Sequence, residues 1–273
     1  MSKRRKPPAG RRLAPKVAVS YLHPGEVSAS FSYCLARMLM YEGYRDVPPY
    51  ILAQRVGSGR LIEGRNDAVK SFLATECEWL LFVDSDMGFG HDALEQLLAV
   101  ADPVDAPVVG ALCFGFRVGD AGHDDTLQAE YLEMFPTIYQ FEERDTEVGF
   151  LAMANYPANE LVQCAGTGSA FILSHRSVYE AISTKHGDGV WYDQITHPKG
   201  PTTFSEDLSY CIRVAGVDRP LFVHTGVKTS HDKGAIFGTE LNYQRQQAAK
   251  LLVGPDGRWR ADLEQIRGLC QST

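Results

Sequence analysis

A run of five apolar residues, Trp79-Leu80-Leu81-Phe82-Val83, ends directly in Asp84-Ser85-Asp86. Such a run needs apolar cover on both faces, the situation of a central strand in a parallel sheet, and ligands of such sheets collect at the carboxyl ends of strands. Two carboxylates spaced i, i+2 at that edge repel each other unless a cation lies between or beside them. Asp also favours turns and helix starts, so an isolated Asp-x-Asp reads as readily as a turn cap. The flanking sequence shifts the balance toward metal.

Periodicity around this run predicts an α/β architecture. Lys16 to Tyr21 reads as a first strand with His23-Pro24-Gly25-Glu26 as its loop, and Ser28 to Tyr41 carries apolar residues at helical spacing. Tyr50 to Val56 is a second strand, broken by Gly57-Ser58-Gly59, and Leu61 to Thr75 is a helix with an apolar stripe. The acidic loop is followed by a helix from about His91 to Val100 and a strand from Pro107 to Leu112. A β-α-β-α-β-α-β order implies right-handed crossovers and a mostly parallel, Rossmann-like central sheet with helices on both faces. Residues 113–160 look like an insertion, with Pro136 to Phe141 strand-like. Strands at Leu161 to Ala165 and Ala170 to Ser174, helices at His175 to Thr184 and Ser205 to Ala215, and a last strand at Pro220 to Val223 complete the pattern. A polar stretch from Thr225 through His231 follows, and residues from Leu241 read as an amphipathic helix.

The chain has 273 residues, 44% of them hydrophobic, enough for one substantial core. Three segments are expected: a disordered basic arm over 1–15, one domain over 16–240, and a helical extension over 241–273. The net charge is -7, yet residues 1–16 hold seven basic groups and no acid, which leaves the body with 20 basic and 34 acidic side chains. A basic arm on an acidic body suits a solvated tail or contact with an anionic partner such as nucleic acid. No apolar run reaches the ~18 residues of a membrane span, and the N-terminus lacks the apolar core of a signal peptide. Six scattered cysteines without a Cys-x-x-Cys pair argue against a structural zinc site. A cytoplasmic protein is expected.

Arg65-Asn66-Asp67-Ala68-Val69, then the apolar run into Asp84-Ser85-Asp86-Met87, then Glu206-Asp207, stand in an order that resembles the glycosyltransferases of family 2 type with the GT-A fold, over roughly residues 16–231. The resemblance implies an enzyme that moves a sugar from a nucleoside-diphosphate sugar, UDP- or GDP-linked, to an acceptor hydroxyl, with inversion or, where Glu206-Asp207 only positions substrate, with retention. The acceptor class stays open between protein, glycan, small molecule and modified DNA. It implies a Mn²⁺ or Mg²⁺ ion, for which hard oxygen ligands are suited. Asp86 is then the direct ligand, Asp84 binds metal through water or contacts the ribose, and His231 completes the site, with His224 as its competitor. Asp207 is the implied base, with Glu206 orienting it or binding acceptor.

Residue chemistry supplies independent expectations. Arg65 and Asn66 open a helix, where an Arg can pair with phosphate and an Asn can bond ribose or base, or both can simply cap a surface. Arg60, and His23 in the first loop, are further candidates on the nucleotide side. That first loop and the Gln54 to Arg60 turn depart from the family's usual pattern, which leaves base and sugar unassigned. Ser205 should cap a helix whose first turn holds Glu206 and Asp207, a placement the helix dipole favours whatever the function. That field lowers a carboxylate pKa, so a basic Asp207 would need compensating desolvation. Gly166-Thr167-Gly168 lacks the strand-loop-helix order of a dinucleotide loop and, by resemblance, lines the acceptor side. Trp79 should pack in the core, while Trp191-Tyr192 is placed to stack on a sugar face. Two competing readings are a phosphatase-like hydrolase with Asp84 as nucleophile and a non-catalytic sugar- or nucleic-acid-binding module.

Overall fold

The computed structural model describes residues 16–43, 48–56, 59–119, 131–143, 148–197, 203–233 and 237–252. The basic arm and the last 21 residues of the expected C-terminal extension lie outside them. The first part of the chain follows the alternation read from its periodicity: β1 (Val17–His23), α1 (Ala29–Gly43), β2 (Tyr50–Arg55), α2 (Leu61–Leu73), β3 (Trp79–Val83), β4 (Met87–Phe89), α3 (Ala93–Val100) and β5 (Val108–Leu112). Then come β6 (Phe114–Gly119), β7 (Tyr131–Pro136), β8 (Ile138–Glu143), β9 (Val148–Ala152), β10 (Leu161–Gln163), β11 (Gly166–Thr167), β12 (Phe171–His175), α4 (Arg176–His186), α5 (Glu206–Gly216), β13 (Leu221–Asp232), β14 (Phe237–Gly238) and α6 (Glu240–Leu252).

The fold is mixed α/β around a mostly parallel sheet of order β10-β13-β5-β12-β3-β1-β2. β1 runs parallel to β2 and β3, and β13 runs parallel to β5. β12 is antiparallel to both β3 and β5 and lies between them. Thus β5, although the next long strand in sequence, is not a neighbour of β3. The chain inserts β6 to β11 before returning with β12 to fill the gap.

Alternation along β3 explains its apolar run. Trp79, Leu81 and Val83 face one core with Phe31 and Met38 of α1 and Leu94 and Leu97 of α3. Leu80 and Phe82 face the other, with Val69 and Phe72 of α2, Tyr179 of α4 and Val214 of α5. Each buried Leu or Phe contributes roughly 1.5–3 kcal/mol relative to exposure, so β3 is the strand on which both layers depend. Trp79 is 4% exposed and packs in the core as expected.

Two expectations are corrected. The last strand does not end at Val223, because β13 continues to Asp232 with a register shift between His224 and Lys228. Its inward residues Thr225, Val227 and Thr229 are buried, and the two threonine hydroxyls donate to Pro157 O (2.7 Å) and Leu112 O (3.0 Å). Internal hydrogen bonding lets a strand of polar composition stay buried. Trp191 and Tyr192 are not offered to a sugar, being 1% and 0% exposed. Trp191 Nε1 donates to Tyr179 O (2.9 Å), and Tyr192 stacks on Tyr210 at 4.7 Å between centroids.

α6 packs through Tyr243, whose ring meets Phe114 at 5.2 Å and whose hydroxyl donates to Ala154 O (3.2 Å). The five described cysteines are free thiols, and no helix among the described residues is long and apolar enough to cross a membrane.

Candidate active site

The carboxyl edge of the sheet is polar where β3 ends. Asp84 donates its backbone N–H to Ala170 O (2.8 Å) at the entrance of β12, and its carbonyl accepts from Met87 N (3.1 Å), which closes the turn that starts β4. Arg65, in the second turn of α2, reaches this edge from below. Its side chain is 2% exposed, with the guanidinium carbon 5.4 Å from the Phe82 ring centroid and 5.6 Å from that of Tyr192. From there it pairs with Asp84 Oδ1 (3.1 Å), Asp207 Oδ1 (3.6 Å) and Glu206 Oε1 (3.8 Å). Burial disfavours its charge, but Asp84 and Asp207 outweigh burial and hold the guanidinium firmly protonated.

This placement changes the roles expected of the α2 start. Arg65 meets three carboxylates rather than a phosphate, and its charge is committed to them. Asn66, 5% exposed, donates from Nδ2 to Asp193 Oδ1 (2.8 Å) and accepts at Oδ1 from Tyr192 N (2.9 Å). Both carry internal load: one gathers acids, and the other pins the 191–193 segment whose Tyr192 covers Arg65.

α5 begins as its sequence suggests. Ser205 Oγ accepts from Leu208 N (3.4 Å), with Glu206 and Asp207 in the first turn. The helix dipole lowers carboxylate pKa values, yet both rise here. Burial is the main cause for each; for Glu206 the neighbouring Asp207 charge adds to it, and for Asp207 the Asp84 charge adds to it, with Arg65 opposing in both. The glycine-rich segment lies against Asp207, where Ser169 hydrogen-bonds its carboxylate and partly opposes the rise. A Cβ at Gly168 would stand 3.8 Å from Asp207 Oδ2. The Gly166 to Ser169 stretch therefore flanks the candidate base.

Asp86 is reached from the far end of β13. β4 pairs antiparallel with it, His231 opposite Met87 and Ser230 opposite Gly88, and Asp232 N donates to Asp86 O (2.8 Å). A Cβ on Gly88 would collide with the Ser230 hydroxyl, so glycine permits the close approach. His231 Nε2 comes to 3.4 Å from Asp86 Oδ2, and Lys233 Nζ to 2.6 Å from the same oxygen. Burial pushes the Asp86 pKa up, but His231 and Lys233 prevail and bring it to about 2.

A divalent ion fits this group. His231 Nδ1 lies 2.9 Å from Phe114 O, and a carbonyl only accepts, so Nδ1 carries the proton. Nε2 is buried and faces Asp86 Oδ2. An imidazole oriented by an Nδ1–H···O=C bond presents Nε2 to an ion held beside Asp86. Among the described residues no cluster of three or more His, Cys, Asp or Glu forms a complete cage. One carboxylate and one imidazole suit an ion that draws its remaining ligands from water and substrate oxygens.

Of the other candidates, His224 is seven residues back along β13, where Leu161 is its strand partner, Gly226 N donates to its Nδ1 (3.1 Å) and burial lowers its pKa. It is not at Asp86. His23 ends β1 beside Arg55 of β2, and its Nδ1 is buried without a partner. Arg60 is exposed at the α2 start, lining a cleft of about 140 Å³ with Gln54, Arg55, Glu63 and Asp67. That cleft lies along the same sheet edge, two strands from β3, about 10 Å at ordinary strand spacing. Sequence reasoning missed Lys233 and Gly88, whose roles depend on β4 meeting β13. It also missed the aromatic contacts around Arg65; the only signal was aromatic residues near an Arg-Asn pair.

No protein-family model matches the chain. No curated protein matches it either. Among solved structures, it is similar to A197 from STIV, with 14% identity over 79% of this chain and 85% of that one, and a TM-score of 0.43. It is also similar to S. aureus TarS 1-349, with 14% identity over 76% of this chain and 57% of that one, and a TM-score of 0.36. The chain thus spans little more than half of the TarS fragment.

Proposed function

We propose that this protein is a metal-dependent glycosyltransferase that transfers a sugar from a nucleoside-diphosphate sugar to an acceptor hydroxyl by single, inverting displacement. One observation carries the reading: Arg65 draws Asp84 at the end of β3 and Glu206 and Asp207 at the start of α5 into one cluster, with Asp86 and His231 alongside. Three short motifs far apart in sequence meet at the sheet edge where α/β proteins bind ligands.

Each acid has work suited to its surroundings. Asp207, with a raised pKa, takes the proton of the acceptor hydroxyl as the new bond forms. Glu206 orients the acceptor. Asp86 and His231 would hold the Mn²⁺ or Mg²⁺ ion, whose positive charge offsets the negative charge that builds on the leaving diphosphate. Arg65 keeps the carboxylates close together without consuming the open edge. The glycine-rich strand beside Asp207 leaves room for the acceptor, and the cleft around Arg60 accommodates the nucleoside end of the donor.

A thermal-shift series with UDP and GDP, each with and without Mn²⁺, tests this directly. A nucleotide at 100 times its Kd should add ~2.7 kcal/mol of stability, with Mn²⁺ required, and Asp86→Ala should abolish the metal dependence. Mn²⁺-independent shifts without turnover would replace the transferase with the non-catalytic binding module, and release of phosphate from generic phosphomonoesters that is lost in Asp84→Asn would replace it with the hydrolase.

A further inference from the structure

Lys233 stands where the proposed function needs a metal ion. Its Nζ is 2.6 Å from Asp86 Oδ2, the same oxygen that lies 3.4 Å from His231 Nε2. An ammonium and a divalent ion repel each other at such separations, and one carboxylate oxygen cannot serve both fully. Metal entry therefore displaces Lys233. The side chain is suited to move: it is 50% exposed, on a flexible four-carbon stem, one residue past the end of β13. Arg65, the other cation touching the acidic groups, is 2% exposed and held by three carboxylates.

We propose that Lys233 is an exchangeable cation, neutralising Asp86 in the metal-free protein and pairing with the donor's diphosphate once a metal has taken Asp86. The charge pattern favours the transfer. Asp84, Asp86, Glu206 and Asp207 outnumber Arg65 and Lys233, so a divalent ion is drawn in. The diphosphate then brings fresh negative charge to the neighbourhood of the freed ammonium. An ammonium is a compact point charge that binds phosphate oxygens well. Lys233 is in this sense a positioning residue for the donor as well as a competitor of the metal, an inference that rests on the metal-dependent transferase reading.

The consequence is a pair of effects of opposite sign. Calorimetric titration of the full chain with Mn²⁺ alone should show Lys233→Met binding the ion ~2–5-fold more tightly, the gain expected from removing a part-exposed ion pair. Titration with UDP or GDP at saturating Mn²⁺ should show the same variant binding at least ~10-fold more weakly, for loss of one charge-assisted hydrogen bond. Lys233→Arg should restore nucleotide affinity while leaving Mn²⁺ binding close to wild type. Unchanged affinities in Lys233→Met, or two shifts in the same direction, overturn the inference while the wild type still binds both ligands. Failure of the wild type to bind either one overturns the transferase reading as well.

Discussion

The β3–β4 turn and the start of α5 each present two acids to one site, yet the protein treats them in opposite ways. At the turn, Asp86 is met by His231 and Lys233, and its pKa falls to about 2 although burial works against that. At the helix, Glu206 and Asp207 lie close to each other, Asp207 feels the Asp84 charge, and both pKa values rise although the helix dipole and Arg65 work against that. Identical functional groups thus become, in one place, an acid held ionised and, in the other, a pair pushed toward their protons. The lesson is that the cationic neighbours supplied by β13 at one place, and burial with crowded acids at the other, set the state of each carboxylate, rather than the acids themselves.

The sharpest way to break the comparison is Asp207→Asn. It removes the proton acceptor and should cut transfer by ~10²–10⁴-fold, with Mn²⁺-dependent nucleotide binding retained in calorimetry. Loss of binding with no separate effect on turnover would make both acidic pairs part of one ligand cage. Next in size is Arg65→Met, which leaves Asp84, Glu206 and Asp207 facing one another without a counter-ion. Urea denaturation should show a loss of ~3–5 kcal/mol, and a loss below 1 kcal/mol would show that the two regions are not coupled through Arg65.

Acidity sharpens the same contrast at smaller scale. The acid limb of the activity profile should lie above the ordinary carboxylate range, because Asp207 must be ionised and its pKa is raised. A limb at or below that range would argue against Asp207 as base. Stability should follow opposite signs in the two regions. Asp86, with a lowered pKa, contributes stability that is full above its ordinary value of 3.8 and fades as pH falls toward about 2. Glu206 and Asp207, with raised values, oppose folding at neutral pH, and that opposition is relieved as pH falls through their raised values toward the ordinary ones. Denaturation of Asp86→Asn and Asp207→Asn against wild type from pH 3 to 7 should therefore give difference curves that bend in opposite directions.

Much of this site was legible one residue at a time. The apolar run of β3 declared a two-sided strand, and its abrupt end in Asp84 and Asp86 marked the sheet edge where ligands gather. Ser205 declared the start of α5, and the conflict between the helix dipole and a basic Asp207 already required burial, which is the main cause of its raised pKa. The parts that did not read correctly share a cause. The last strand reads as ending at Val223 because the hydroxyls of Thr225 and Thr229 find their partners across the fold, at Pro157 and Leu112. The acid cluster around Arg65 was out of reach of the sequence because the three carboxylates it meets are 19, 141 and 142 positions away. Trp191 and Tyr192 looked exposed because a glycine-rich neighbourhood conceals the aromatic stack with Tyr210.

Local pattern determined that this chain builds a mostly parallel sheet with helices on both faces and that acids occupy two of its element ends. Periodicity and capping act within a few residues, so the order of residues suffices for them. Only tertiary structure decided which acid is held ionised and which is pushed toward its proton, because that depends on the charges and apolar groups brought within about 4 Å. Here the long β13 brings His231 and Lys233 to Asp86, while buried Arg65 gathers the rest.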